Sequence, residues 1–207
     1  MSNEDYLSMS VRDFAAATSD KTPTPGGGSV AGVVASLGVA LGEMALNFTR
    51  GKKKFAAHEE HYEQLSHRLI RARGMFFDLV ADDVAAYKLY QAATRQDDGP
   101  AKDEAVELAT AAAIDVPREV AKLALAVMED MKALLPKSNT YLITDLLASA
   151  ALSAAAVRLC DYNVRINVPN LADKQAAGEV KQTSADDLAR ANALLAEIEQ
   201  LSAPHLP

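Results

Sequence analysis

The stretch that most constrains the fold is a proline- and glycine-rich turn at residues 23–29, which is followed directly by a run of small apolar residues. The turn reads Pro-Thr-Pro-Gly-Gly-Gly-Ser. Its prolines hold the chain extended, and its glycines permit backbone angles and close approaches that a Cβ would prevent. Ser29 is predicted to be the N-cap of a helix that begins at Val30. The free N–H groups of such a helix start can bind a carboxylate, a phosphate or a carbonyl oxygen. Alternatively, the turn only lets helices pack closely.

Apolar residues recur with the 3.6-residue period of an α-helix in almost every segment, and the alternation typical of strands is nearly absent. We therefore predict an all-α fold, a single domain over residues 1–207 built as a bundle of about six to eight helices. The predicted helices cover residues 11–19, 29–50, 56–96, 101–135, 141–168 and 184–201. The third is a long central helix, and Pro117 kinks or restarts the fourth. The Ala-rich fifth helix is buried because it is apolar on every face.

Small residues are so frequent in the second predicted helix that another backbone or a ligand must lie close to it, since each helical glycine costs about 1 kcal/mol against alanine. The second and fifth helices together offer more apolar surface than one small bundle covers. We therefore predict a homodimer or a larger even homo-oligomer.

Composition and charge narrow the function classes. The formal net charge of −7 disfavours a nucleic-acid partner, because phosphates would be repelled over most of the surface. The most apolar windows, 30–46 and 142–159, are interrupted by Gly, Ser, Glu or Asp, so we expect buried helices and no membrane span. The chain opens with polar and acidic residues, unlike a signal peptide. The single Cys160 excludes an intramolecular disulfide, and the four histidines form no metal-binding pattern. We expect a cytoplasmic protein without a metal site.

Polar side chains inside apolar helical stretches are the candidate functional groups, because burying them without a partner costs free energy. Helical spacing places Asp83 beside Leu79, Val80 and Tyr87, whereas Asp82 is turned about 100° away. A carboxylate against apolar walls has its pKa raised towards the working range of a general acid–base. The alternative is an ordinary solvated pair of aspartates.

Further candidates lie in other parts of the chain. Lys52, Lys53 and Lys54 follow a helix end, where they either bind an anion or only complement the negative end of the helix dipole. Asp145 lies in the first turn of the fifth helix, as a capping acid or a ligand group. The asparagines within helices, whose amides suit a planar heterocycle, are Asn47, Asn163 and Asn167.

These features occur together, and in this order, in one family. The shared motifs are Pro-Thr-Pro-Gly-Gly-Gly-Ser at 23–29, Asn-Phe-Thr and Gly-Lys-Lys-Lys-Phe within 47–55, Asp-Asp-Val-Ala-Ala-Tyr at 82–87, Asn139 with Asp145, and Tyr-Asn-Val-Arg-Ile-Asn at 162–167. Over residues 8–201 the chain resembles the formiminotransferase-cyclodeaminase C-terminal family. Its members include stand-alone bacterial methenyltetrahydrofolate cyclohydrolases. The resemblance implies an all-α homodimer that binds a tetrahydrofolate derivative, with no cofactor beyond this substrate.

The resemblance also implies roles for individual residues. Asp83 matches the family's acid that is implicated in catalysis. The family's glycine loop at the folate site corresponds to Gly26, Gly27, Gly28 and Ser29, and the other matched positions are Asn139, Asp145, Asn163 and Asn167. Two departures occur: Ala81 replaces an acid often found two positions before the catalytic one, and Ser138 replaces the glycine that usually precedes the asparagine.

The two reactions of the family share one tetrahedral carbon between N5 and N10 of the folate, so a single carboxylate that gives or takes a proton could serve either. We predict a methenyltetrahydrofolate cyclohydrolase, because the sequence carries no formiminotransferase half and its motifs look closer to the stand-alone bacterial form. The alternatives are a formimidoyltetrahydrofolate cyclodeaminase and a non-catalytic folate-binding helical dimer. A carboxylate within a packed face favours an enzyme, since a scaffold gains little from burying one.

Overall fold

The chain folds into α-helices joined by turns and short 3₁₀ segments, and this computed structural model describes residues 6–206. No strand occurs within that range, so the predicted all-α class is confirmed. The α-helices are α1 (Val11–Ser19), α2 (Gly27–Asn47), α3 (Glu59–Thr94), α4 (Pro100–Leu134), α5 (Ile143–Asn167) and α6 (Lys174–Ser202).

Four of these helices form a ring around the main core. α2 and α4 each pack against both α3 and α5, and α6 covers α4 and α5. Large side chains fill the space inside the ring and are fully buried, each stabilising the fold by about 1.5–3 kcal/mol. They include Leu46, Tyr62, Phe76, Met128 and Leu146. The low polarity of α5 is explained by its position, because it contacts α2, α4 and α6 at once.

Glycines allow α2 to lie unusually close to its neighbours. A Cβ on Gly32 would lie 2.5 Å from Cγ2 of Val80 in α3, and one on Gly38 would lie 3.1 Å from the carbonyl oxygen of Ser149 in α5. Both distances are shorter than ordinary van der Waals contact. The expectation that another backbone lies next to this helix is therefore confirmed.

Two helical stretches, Gly27–Asn47 and Thr140–Asn170, are long and apolar enough to cross a membrane by length and composition alone. In the bundle, 56% and 44% of their most apolar windows are buried. Core helices of globular proteins have the same composition, and α2 and α5 pack against each other here. Each helix also exposes a large apolar side chain, Leu37 on α2 and Ile166 on α5.

α6 and α4 differ from the sequence prediction. α6 begins at Lys174 and not at residue 184, because Asp173 caps it by accepting hydrogen bonds from the backbone N–H groups of Gln175 and Ala176, at 2.8 and 3.1 Å. The first turns of α6 carry few apolar residues and so give no amphipathic signal. α4 continues through the buried Pro117 without restarting.

Candidate active site

A small pocket lies where the N-terminal end of α2 meets the C-terminal halves of α3 and α5. Its volume is about 180 Å³, below the roughly 300–1,000 Å³ of sites that enclose a drug-sized ligand. A longer ligand bound here must therefore extend out of the pocket. The turn before α2 and four helices supply the lining: Pro23, Thr24, Gly26, Gly27, Gly28, Asp83, Ala86, Tyr87, Tyr90, Ala113, Asn163 and Asn167.

The Asp83 carboxylate is the ionisable acid of this pocket and lies against the first turn of α2. Its Oδ2 accepts a hydrogen bond of 2.7 Å from the hydroxyl of Ser29, which is itself fully buried. Burial raises the pKa of the Asp83 carboxyl, while hydrogen bonds from the Ser29 hydroxyl and backbone N–H oppose the rise. The predicted direction of the pKa shift is thus confirmed, and the catalytic role of Asp83 stays a prediction.

Gly28 has no side chain, and the Asp83 carboxylate occupies the space where one would lie. A Cβ at this position would overlap Oδ1 of Asp83 and lie 2.6 Å from its Cγ. Any side chain on residue 28 would therefore displace the carboxylate from α2. The glycine turn at this point accommodates a neighbouring acid of the same chain.

The prediction that Ser29 is the N-cap of α2 is wrong. The helix begins at Gly27, its N-cap is Gly26, and no side chain of the turn caps it. Ser29 is the third residue of the helix, and its hydroxyl is directed to Asp83 on α3. The Asp83 carboxylate lies against this first turn, as a capping side chain does in other helices, and accepts the hydrogen bond of the Ser29 hydroxyl.

Two asparagines of α5 form the opposite wall of the pocket. The amide nitrogen of Asn163 donates to the Leu159 carbonyl oxygen and that of Asn167 donates to the Asn163 carbonyl oxygen, both at 2.8 Å. A Cβ on Gly27 would lie 3.4 Å from the Asn163 amide nitrogen, so α5 approaches the turn closely. Because the amide N–H groups bond to the helix backbone, each side chain retains its carbonyl oxygen as an acceptor.

Acceptors and a carboxylate dominate the pocket, and among residues 6–206 its lining includes no Lys, Arg or His. Cys160 lies nearby in α5, where burial and then the charge of Asp83 raise the pKa of its thiol to about 12. The thiol is therefore neutral at physiological pH. The chemistry of the pocket suits a cationic ligand with hydrogen-bond donors.

Sequence reasoning did not select Tyr87 and Tyr90 as site residues, although both line the pocket. They follow Asp83 by four and seven positions, which places all three on one face of α3. The Tyr87 hydroxyl accepts a hydrogen bond of 3.2 Å from the amide nitrogen of Gln91. The sequence signal for both tyrosines is this spacing, which puts them on the same helix face as Asp83.

The remaining predicted residues form a second group at the far end of α2. With a rise of about 1.5 Å per residue, the two ends of this helix are about 30 Å apart. Asn47 is exposed at the C-terminal end, Asp145 is partly buried in the first turn of α5, and the lysines are exposed beyond α2. Within one chain, the structure does not bring the second group to Asp83: Asn47, Lys52, Lys53, Lys54, Asn139 and Asp145.

Asn139 has a structural role in the second group. Its backbone N–H donates to the Thr49 hydroxyl at 3.0 Å, and its side-chain oxygen accepts the N–H of Tyr141 at 3.3 Å, which caps the 3₁₀ segment Thr140–Leu142. Asn139 thereby joins the end of α2 to the start of α5. In residues 6–206 no group of three or more His, Cys, Asp or Glu could hold a metal ion.

Comparison with known proteins gives this geometry a family context. The sequence model of the family described as Formiminotransferase-cyclodeaminase matches residues 10–186. The chain belongs to this family. The resemblance inferred from the motifs is confirmed.

Several relatives of the family cover most of this chain. A methenyltetrahydrofolate cyclohydrolase of Methylorubrum extorquens is 28% identical over 189 residues, covering 89% of this chain and 91% of the relative. A formimidoyltransferase-cyclodeaminase of Dictyostelium discoideum is 29% identical over 168 residues, and the match spans 81% of this chain but 31% of that protein. The solved structure of a formiminotetrahydrofolate cyclodeaminase from Thermotoga maritima superposes with a TM-score of 0.82 at 26% identity, covering 97% of this chain and 96% of that one.

Both departures from the family pattern lie outside the pocket lining. Ala81 is exposed on α3. The Ser138 hydroxyl donates to the Leu135 carbonyl oxygen at 2.9 Å and so stabilises the turn that precedes Asn139.

Proposed function

We propose that this chain is a methenyltetrahydrofolate cyclohydrolase, which hydrolyses 5,10-methenyltetrahydrofolate to 10-formyltetrahydrofolate. The coarser prediction, an enzyme of the folate cyclohydrolase or cyclodeaminase kind, is confirmed by the names of its relatives. The observation that carries the proposal is the Asp83 carboxyl, partly buried in a pocket whose lining includes no cationic side chain. The match to a cyclohydrolase over nearly the full length of both chains supports the choice of reaction.

The substrate carries a positive charge on the carbon that bridges N5 and N10. An anionic carboxylate beside that carbon favours binding of the cation and its reaction with water. Water attacks this carbon, Asp83 takes one proton from the water, and a tetrahedral intermediate forms. The bond from the carbon to N5 then breaks, N5 receives the proton from Asp83, and the second proton of the water is released as the formyl C=O forms. General acid–base transfer of this kind contributes about 100- to 10,000-fold.

The second candidate function is formimidoyltetrahydrofolate cyclodeaminase, favoured by the structural match to the Thermotoga maritima protein. In that reaction N10 attacks the formimino carbon and ammonia leaves. The same carboxylate would transfer the proton that ammonia needs to depart. A non-catalytic folate-binding dimer is the third alternative, and nothing in the pocket favours it over an enzyme.

Absorbance of the methenyl group distinguishes the candidates. The purified protein is given 5,10-methenyltetrahydrofolate in one reaction and 5-formiminotetrahydrofolate in another. Hydrolysis lowers the methenyl absorbance in the first, and deamination raises it in the second. The proposal requires the first result at a rate far above the spontaneous one, and turnover of the formimino substrate alone would establish the second candidate.

A homodimer or larger even oligomer is part of the proposal. Large apolar side chains are exposed on α2 (Leu37), on α5 (Tyr162 and Ile166) and just outside these helices (Phe48 after α2 and Tyr141 before α5). A second copy of the chain would cover this surface. If two copies of α2 pair antiparallel, the second group of one copy lies beside the pocket of the other. This pairing would reunite the predicted site residues that lie about 30 Å apart in one chain.

The remaining expectations also stand as proposals. The reaction needs only water and proton transfer, so we propose no cofactor beyond the tetrahydrofolate substrate and no metal. The net charge of −7 supports the absence of a nucleic-acid partner. A role in one-carbon metabolism supports a cytoplasmic location without a membrane partner. Lys52, Lys53 and Lys54 are proposed to bind the carboxylates of the folate glutamate tail.

A further inference from the structure

We propose that Ser29 is a positioning residue for Asp83, and that its hydroxyl and the first turn of α2 hold the carboxylate in one orientation and in its ionised form. The catalytic role of Asp83 in this proposal rests on the proposed function, but the contact between Ser29 and Asp83 does not depend on the substrate. Ser29 then acts on another residue of the same chain, whereas the family resemblance implied that it contacts folate.

The burial of Ser29 is the first observation. Its side chain has no solvent exposure and is absent from the lining of the pocket, so a bound ligand cannot touch it. The hydroxyl donates to Oδ2 of Asp83 at 2.7 Å. Any effect of Ser29 on the reaction must therefore pass through Asp83.

The two carboxylate oxygens are held differently. Oδ2 accepts the Ser29 hydrogen bond, while Oδ1 occupies the space above Gly28 that a Cβ would fill. A carboxylate bonded at Oδ2 and packed against Gly28 at Oδ1 is restrained in orientation, which leaves a defined atom for proton transfer. Catalysis gains from this because the reacting atoms are then already aligned.

The first turn of α2 stabilises the charge of the carboxylate. Its N–H groups lack partners within the helix, the N-cap Gly26 offers no side chain, and the helix dipole is positive at this end. Hydrogen bonds from the Ser29 hydroxyl and N–H lower the pKa of Asp83 against the effect of burial. Without them the carboxyl would be protonated at higher pH and could not accept a proton from water.

The other groups around Asp83 do not replace this stabilisation. On α3 the ionisable neighbours are the phenols of Tyr87 and Tyr90 and the exposed Asp82, and on α5 the neighbour is the neutral thiol of Cys160. α4 contributes only an alanine to the pocket, and α5 adds neutral amides. No cation is among these groups in the part of the chain that the structure describes, so there the first turn of α2 is what favours the anion.

The test is a carbon-13 NMR titration of the Asp83 carboxyl in the free wild-type protein and in Ser29→Ala. Loss of a hydrogen bond to a charged group should raise the pKa of Asp83 by roughly one unit or more. The matched control is Ser36→Ala, since Ser36 is a buried serine of the same helix whose hydroxyl donates to the Val33 carbonyl oxygen at 2.8 Å. The control should leave the Asp83 titration unchanged.

Kinetics provide the second readout. The rise of kcat with pH should move upward in Ser29→Ala by the same amount as the NMR titration, so that much of the lost rate returns at high pH. Ser29→Thr, which keeps the hydroxyl, should restore the wild-type profile. A merely structural role would lower the rate equally at every pH and leave the titration in place, and that result would overturn the inference.

The NMR result also separates this inference from the proposed function. If the titration moves but neither folate is turned over, Ser29 positions Asp83 and the proposed reaction is wrong. If the folate is hydrolysed but the titration does not move, the reaction stands and the role of Ser29 is refuted.

Discussion

Replacing Asp83 by asparagine is the substitution whose consequences the structure defines most closely. The amide has the same shape as the carboxylate, and its oxygen can accept the Ser29 hydrogen bond that is now 2.7 Å long. Asp83→Asn therefore keeps the contact between α2 and α3 and removes only the charge and the transferable proton. We expect kcat for methenyltetrahydrofolate to fall by about 100- to 10,000-fold.

The same substitution should not destabilise the fold at neutral pH. Because burial raises the pKa of the Asp83 carboxyl, the folded state holds its proton more tightly than the unfolded state does. The ionised carboxyl thus lowers the free energy of unfolding as pH rises from the ordinary pKa of an aspartate through the raised one. Asp83→Asn removes this loss, so the variant should be at least as stable as the wild type above that window.

Two assays check the prediction on one sample. Methenyl absorbance gives the rate, and thermal unfolding followed by circular dichroism at several pH values gives the stability. Retention of more than about a tenth of the wild-type rate lies far outside the range for a lost acid–base and would refute the catalytic role. A large fall in Tm at neutral pH would instead show that the charge holds the helices together.

Three further substitutions test other parts of the site. Gly28→Ala should displace the Asp83 carboxylate and lower kcat by at least about 100-fold if that group is the acid–base. Helicity measured by circular dichroism should not change, and a wild-type kcat would show that the space next to Gly28 is not needed for catalysis. Replacing the three lysines at 52–54 by Ala should raise KM several-fold for polyglutamylated folate and less for the monoglutamate, since each exposed ion pair contributes about 0.2–1 kcal/mol. The dependence of KM on salt concentration should also weaken. Equal effects on both substrates would show that the lysines only complement the helix end. Leu37→Asp should convert the oligomer to monomers, because it places a charge on the exposed apolar face of α2. Light scattering measures the change, and a wild-type protein that is already monomeric at micromolar concentration would refute the proposed assembly.

The helical architecture could be predicted from the sequence because apolar residues repeat with one period through most of the chain. The exceptions have local causes. The apolar pattern predicts a start of α6 that is too late, since the first turns carry few apolar residues and the signal there is the capping Asp173 alone. The sequence predicts a start of α2 at Val30, because a serine after glycines matches an N-cap, whereas the Ser29 hydroxyl donates to a carboxylate on another helix.

The site could be predicted only in part. Asp83, the glycine turn and both asparagines of α5 meet in one pocket, as their shared family motifs suggested. The length of the predicted helix 29–50 already separates Asn47 and the lysines from the glycine turn by about 30 Å, but sequence order could not show that Asp145 joins them, because its position depends on how α5 packs against α2. Nor could it show that Ser29 contacts an acid on α3, since that contact depends on how closely the two helices pack.

A crystal structure of the Asp83→Asn variant with bound 5,10-methenyltetrahydrofolate tests the central claim most directly. The bridging carbon should lie in the pocket between the first turn of α2 and Asn163, with the substituted amide within hydrogen-bond reach, about 2.6–3.2 Å, of the water that faces it. The glutamate tail should leave the pocket towards the lysines of a second copy of the chain. A folate bound elsewhere, with its bridging carbon far from residue 83, would contradict the assignment of this pocket as the active site.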